Sequence, residues 1–449
     1  MLPGTPSTGQ TRGARASRTG LRRTVLCATL AAAVVLPLAL TACGKSDNKS
    51  STDSTKPVEL TMMWWGGDAR AKLTEQVLDL YTKKHPKVTF KKVWQANQGY
   101  YEKLSTLIAG NDAPDIFQID DNYLTEYASR GVTMDLTKYK DSKKINVTKF
   151  PESLWKNGLV NNKLAALAWA ENTQCVAYDK TTLQKANVPE PTTGMSWEDF
   201  IAWAKTAGAA TKVPGTMDPS ADYKAFWVWL RNQGKDLYTK DGGLGFTADD
   251  VTKWFTLWKG ARDAGATPTA DVIHEGNSSD ITKQLVVTGK ALTSWVWCNQ
   301  LPEMAKGTKD TLGIVAYPGN PKDQWARAAL YMAGSRTTKH KDTVVDVINF
   351  LANDPEAGKI LGTERGLPAN LEIRTAVAAT VTDANMKTSI QIENELGKTF
   401  GAAPAVPPKG HVTLRSELIK AAENVEFGRV TPSQSADQFM TAVKAVIGK

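Results

Sequence analysis

Tryptophan is normally the scarcest aromatic residue, yet this chain's 14 Trp outnumber its 11 Phe and its 11 Tyr. An indole offers a large electron-rich face that stacks on the apolar C–H face of a pyranose ring while its N–H stays free to donate. Trp64, Trp65, Trp169, Trp295 and Trp297 fall at the ends of apolar, strand-like runs, where open α/β sheets gather their ligands. Trp197, Trp203, Trp254 and Trp258 instead recur at helical spacing, which marks core packing, and Trp229 stands between the two groups. Sugar hydroxyls need partners that fix both donors and acceptors. Asp68 after the Gly66-Gly67 turn, Asp120 and Asp121 after an apolar run, and Glu171 with Asn172 are the candidates. Each also fits a plain reading as a helix cap or a solvated turn, Asp68 most of all. Arg365, within ERGLPAN at 364–370, is a further residue able to reach such a ligand from a loop.

The same residue types serve catalysis, so the alternative is a secreted carbohydrate-active enzyme. That chemistry needs two carboxylates flanking one glycosidic bond, and Asp120 with Glu171 is the pair on offer. Other catalytic patterns are thin. The four His (His85, His274, His340, His411) have no metal-ligand spacing, and no Ser occupies a nucleophile elbow. Gly243-Leu244-Gly245 follows Tyr238–Asp241, which is not strand-like, so it does not read as a dinucleotide loop. No metal and no cofactor are expected. Lys and Arg total 55 against 46 Asp and Glu. Five Arg (Arg12, Arg15, Arg18, Arg22, Arg23) lie in residues 1–42 without an acidic partner, which leaves 9 − 5 = +4 for the rest. So small an excess, with no basic stripe, argues against nucleic acid as a partner.

The elements that must position these residues follow a regular order. Val58–Trp64 alternates like a first strand, Leu73, Val77, Leu78 and Tyr81 recur at helical spacing, and strands follow at Val88–Trp94 and Asp115–Ile119 around a helix at Tyr101–Ile108. Strand and helix alternating in this way predict a parallel sheet flanked by helices, an α/β fold. Further strands are expected at Leu164–Ala168, Cys175–Tyr178, Ala291–Trp297 and Thr311–Tyr317, and the C-terminal third reads as helical. Ahead of all this, the five-Arg stretch runs into uncharged Val25–Leu40 and then Leu40-Thr41-Ala42-Cys43. These are the parts of a secretory signal, and LTAC resembles the bacterial lipobox, in which the Cys is lipidated and becomes the new N-terminus. Gly44–Lys56 holds no apolar side chain and reads as a flexible tether. The paired Arg22-Arg23 leaves general secretion and twin-arginine export both open.

Five blocks in sequence order carry a resemblance. They are LTMMWWGG at 60–67, AGNDAPDIFQID at 109–120 followed by YASRG at 127–131, KLAALAWAENTQCVAYDK at 163–180, GKALTSWVW at 289–297, and HKDTVVDVINFLANDPEAG at 340–358. From Val58 to the C-terminus the chain resembles the extracellular solute-binding proteins of bacterial ABC importers, in the sugar- and oligosaccharide-binding group of maltose-binding type. The resemblance implies a type II periplasmic-binding fold of two discontinuous α/β lobes on a multi-strand hinge. Residues 1–42 would be the lipoprotein signal and 43–57 the lipidated Cys and tether. The first lobe would take 58–170 and 299–329, the second 171–298 and 330–449, with crossings near Trp169–Asn172, Trp297 and Tyr331. It further implies a monomer at the outer face of the cytoplasmic membrane, anchored through Cys43, that captures a carbohydrate between the lobes and passes it to permease subunits. Cys175 and Cys298 would then sit on neighbouring hinge strands in an oxidising compartment, as a disulfide or as two buried thiols.

Overall fold

A computed structural model describes residues 56–276 and 280–447; Cys43, the signal segment and most of the tether lie outside them. The strands in chain order are β1 (Val58–Trp65), β2 (Val88–Gln95), β3 (Ile116–Ile119), the short hairpin β4 (Leu159–Val160) and β5 (Lys163–Leu164), β6 (Leu167–Asn172), β7 (Gln174–Asp179), β8 (Thr293–Trp297), β9 (Leu312–Ala316), β10 (Arg327–Gly334) and β11 (Leu367–Pro368).

The first lobe is built on a six-stranded sheet in the order β11-β6-β10-β3-β1-β2. β1 pairs in parallel with both β2 and β3, and β10 runs antiparallel to β3 and β6. Parallel strands are covered by helices on both faces and therefore read as near-continuous apolar runs, and all four residues of β3 are buried. The helix Asp68–Lys84 turns Ala71, Thr74, Val77, Leu78 and Tyr81 inward, the stripe expected of a surface helix. The second lobe is built on the antiparallel sheet β8-β7-β9 and an aromatic-rich helical core. There Trp197 stacks flat on Trp295 at 5.7 Å, and Trp254 meets Trp197, Phe226, Trp229 and Trp258.

After Cys298 the strands divide otherwise than the expected lobe boundaries. Residues 312–316 pair with β7 and belong to the second lobe, whereas 327–334 joins the first, where Tyr331 opposes Ile119. The cores agree, since one gathers residues from 60–169 and 328–369 and the other residues from 176–325 and 414–447. Trp297 and Tyr331 are thus not crossings. The chain passes between sheets at Thr173 and between Trp325 and Arg327, and the helix Ala384–Gly397 packs on β9 and the turn after Cys298. LGIVA and RAALYMAG are both short and apolar, and periodicity carries no information about which sheet such a strand joins.

Three features bind the hinge. Cys175 on β7 and Cys298 just past β8 form a disulfide with Cα atoms 5.1 Å apart, in the register where Cys175 opposes Val296. The loop before β11 crosses β6 so closely that a Cβ on Gly366 (φ +106°) would sit 2.3 Å from Asn172 Oδ1, and only glycine combines that approach with a left-handed backbone. The stretch after Phe400 runs over both lobes: Arg231 Nη2 donates to Ala402 O at 2.7 Å, and Thr125 Oγ1 to Pro407 O at 2.5 Å.

Candidate functional site

The strand ends of the first lobe face the second across an open cleft of about 1070 Å³, just above the usual range for small-molecule sites. Trp65, the last residue of β1, and Asn97 line it from one side. The other side is formed by Met217–Pro219, Ala221–Lys224, Trp295–Trp297 and one face of the helix His411–Glu426. That face carries Arg415, Ile419 and Glu423, spaced four apart and therefore one above another. Ile419 is 41% exposed, an apolar side chain held open to solvent at the rim.

Aromatic faces come from both sides. Trp65 packs edge-on against Tyr100 at 5.1 Å, and Tyr101 stacks on Tyr123 at 3.7 Å. Opposite, Trp295 is held by its N–H donating to Met217 O at 2.8 Å. Trp297 has Arg327 Cζ 4.7 Å and Lys224 Nζ 5.2 Å from its ring centre, an arrangement favoured by the ring quadrupole. A smaller cavity of about 30 Å³ shares Tyr223 and Lys224 with the cleft and is lined by Asp121, Arg327, Tyr331 and Pro404–Pro407.

The polar groups beneath are tightly organised. Asp120 caps the helix Asp121–Ser129, accepting from Asn122 N–H at 3.0 Å, and its own N–H donates to Tyr101 Oη at 2.9 Å. Burial and the neighbouring Asp121 push the Asp120 carboxyl above its ordinary value, with Arg327 and Arg415 opposing. Arg327 grips Asp121 through two guanidinium nitrogens. Burial alone would lower the Arg327 pKa, but Asp121, Tyr223 and Asp120 together more than offset it and the value rises. His411 spans the lobes, with Nδ1 2.6 Å from Tyr238 Oη and Nε2 3.1 Å from Asn122 Oδ1. Burial and then Arg415 bring its pKa down to about 3, so at neutral pH it is uncharged. Because Asn122 presents an acceptor, Nε2 carries the proton and Nδ1 accepts from the tyrosine.

Of the residues expected from sequence, Trp65, Trp295 and Trp297 line the cleft, Asp121 lines the smaller cavity beside it, and Asp120 is buried next to Asp121. The rest are elsewhere. Trp64 is fully buried in the first core, one residue out of phase with Trp65 on the same strand. Trp229 lies in the second core between Phe226 and Trp254. Trp169 donates to Leu351 O at 2.8 Å and carries Arg365 over its ring at 4.5 Å, away from the cleft. Asp68 is exposed in the first turn of its helix. Asn172 ends β6 with its Oδ1 buried. Glu171 is buried and paired with Arg374 at 2.6 Å, and it does not line the cleft. The two-carboxylate arrangement of a glycosidase is therefore not assembled from Asp120 and Glu171. Tyr101, Tyr223, Lys224, Arg327, His411 and Arg415 carried no signal that sequence reading used. Of these only Tyr223 and Lys224 bear a mark, DYKAFWVWL at 222–230, an aromatic-rich helix start.

One wall of the cleft holds a titrating group. Asp218 pairs with Arg262, and Ser220 Oγ donates to Glu426 Oε1 at 3.0 Å. Burial, then Asp218, pushes the Glu426 carboxyl up to about 8. Below pH 4.5 folded and unfolded chains both hold this proton; between 4.5 and 8 the unfolded chain releases it while the folded one keeps it. The stability this group contributes therefore declines across that window and is gone once pH has risen through 8, a loss of at most about 5 kcal/mol. Glu426→Gln should flatten that decline in urea midpoints at pH 5, 7 and 9, and equal slopes for variant and parent would contradict it.

With this geometry in hand, known proteins supply a comparison. A family model described as bacterial extracellular solute-binding protein matches residues 66–358. The chain belongs to this family. Over 165 residues this solute-binding protein is 28% identical to the diacetylchitobiose binding protein DasA of Streptomyces coelicolor, a match covering 36% of the chain and 37% of that relative. A solved extracellular solute-binding protein family 1 structure from Alicyclobacillus acidocaldarius aligns with TM-score 0.70 and 27% identity over 88% of this chain and 99% of its own. An ABC substrate-binding protein from Listeria monocytogenes, solved in complex with cycloalternan, aligns with TM-score 0.73 and 21% identity over 87% and 99%. The architecture is the two-lobed type II periplasmic-binding fold, and its family binds solutes outside the cell. Among the described residues no helix is long and apolar enough to cross a membrane.

Proposed function

We propose that this solute-binding protein captures a carbohydrate in the interlobe cleft and delivers it to the permease of an ABC importer. The observation that carries the reading is the cleft's make-up. Indole faces from both lobes and the Tyr223 phenol stand beside organised donors and acceptors, which suits a ring with apolar faces and a hydroxyl rim. The diacetylchitobiose named for the Streptomyces relative is consistent with this class. Trp65, Trp295 and Trp297 contact the ring, and Asp120 and Asp121 order the polar groups at the base. Discontinuous lobes suit capture by hinge closure, because a few backbone positions bend while each core stays rigid. A thermal-shift screen over mono-, di- and oligosaccharides tests the proposal. A ligand at 100 times its dissociation constant adds about 2.7 kcal/mol; no shift with any saccharide would overturn it.

The protein acts as a monomer at the outer face of the cytoplasmic membrane, held by acyl chains on Cys43. Two or three such chains at one residue give stable anchoring, and the tether leaves the lobes free to reach a permease. Cys43→Ala should leave the protein outside the membrane fraction or as uncleaved precursor. Normal processing and membrane retention of that variant would refute the anchor.

A further inference from the structure

We propose that the cleft selects a saccharide bearing a carboxylate, a uronic acid unit, and that Arg415 receives that group. The inference rests on the reading of the cleft as a sugar site and adds the charge of the ligand. Most ionic side chains around the cleft are already matched. Lys224 meets Asp222 at 2.9 Å, His274 meets Glu423 at 3.0 Å, Lys290 meets Glu275 at 2.5 Å, Arg262 holds Asp218 and Arg327 holds Asp121. Arg415 differs. It lines the cleft, yet among the described residues it makes no ion pair, and its Nε is buried without a hydrogen-bond partner.

An unpaired guanidinium donor shielded from water is costly unless something else satisfies it. The guanidinium lies over the ring of Tyr223, its Cζ 4.7 Å from the centroid, which fixes the plane of the fork before any ligand arrives. A neutral hydroxyl can take one hydrogen bond from that fork. A carboxylate takes two in parallel and cancels the charge as well, so the fork discriminates between the two. Asp120 acts electrostatically on Arg415 across the base of the cleft, but the hydrogen bond to its side chain comes from Asn122. Ile419, one turn along the same helix, adds an apolar contact for the ring that carries the acid.

Calorimetry of the purified protein against matched pairs, digalacturonate with galactobiose and cellobiouronate with cellobiose, tests the inference. The tightest ligand should be an acidic sugar, favoured over its neutral partner by roughly tenfold or more. That ratio should shrink in 0.5 M NaCl as the interaction is screened, and Arg415→Gln should bring it close to one. Should the variant not fold, the parent's ratio and its salt dependence decide alone. A neutral sugar bound as tightly as its acidic partner, or more tightly, would overturn the inference and leave carbohydrate binding standing. Binding of no sugar in the panel, acidic or neutral, nor in the wider thermal-shift screen, would overturn both.

Discussion

Arg327→Met should cost about 3–5 kcal/mol of stability, because it leaves the Asp121 carboxylate buried without its counter-charge. The side chains of Arg327 and Asp121 are only 11% and 13% exposed, so water cannot replace the lost partner. The position also matters mechanically. Arg327 begins the strand that re-enters the first sheet, opposes Asn172 in register, and lies over Trp297 of the other lobe. Asp121→Ala should be costly for the mirror reason, while the double variant should cost less than the sum of the two, since neither charge is then stranded. Urea unfolding followed by circular dichroism provides the measurement. A loss below about 1 kcal/mol for the single Arg327 variant would mean that the pair is solvated and does not organise the base of the cleft.

Loss of the disulfide ranks second in expected effect. Cys175 and Cys298 are 123 residues apart in sequence, so the bond removes a long loop from the freedom of the unfolded chain. On the chain-entropy view that is worth about 4–5 kcal/mol, and measured cases centre nearer 2–4. Both residues are fully buried, so a joint Cys175→Ala and Cys298→Ala change is a cleaner test than adding reductant. The double variant should melt markedly earlier, with the second lobe's tryptophans reporting the transition. An unchanged melting temperature, or two reactive thiols per chain in the denatured, unreduced mature protein, from which Cys27 is cleaved and in which Cys43 carries lipid, would contradict the assignment.

The alternation of strands and helices from Val58 to Ile119 was legible because each element there is written in local terms, a periodic apolar stripe followed by a turn. Trp65 was legible for the same reason, standing at the end of a parallel strand before Gly66-Gly67. Trp64 and Trp65 are chemically identical neighbours, and only the pleat, which sends alternate side chains to opposite faces, separates a core residue from one in the cleft. Glu171 was offered as a ligand contact because a charged group at a crossover invites that reading, and Arg365 because a loop residue can reach a cleft. Glu171 instead meets Arg374, from a helix some 200 residues further along, and nothing in the local sequence signals that meeting. Arg415 is hidden in the opposite sense. On its own helix it looks like any solvated basic residue, and only the packing of that helix against helices of both lobes turns it toward Tyr223.

Trp65 is the most direct probe of whether the ligand rests on the aromatic faces of the cleft. Calorimetric titration of Trp65→Ala with the tightest saccharide found for the parent should give an affinity weaker by at least about 1 kcal/mol, with the variant still folded by its melting curve. Unchanged affinity in a folded Trp65→Ala protein would place the ligand elsewhere and contradict the central claim.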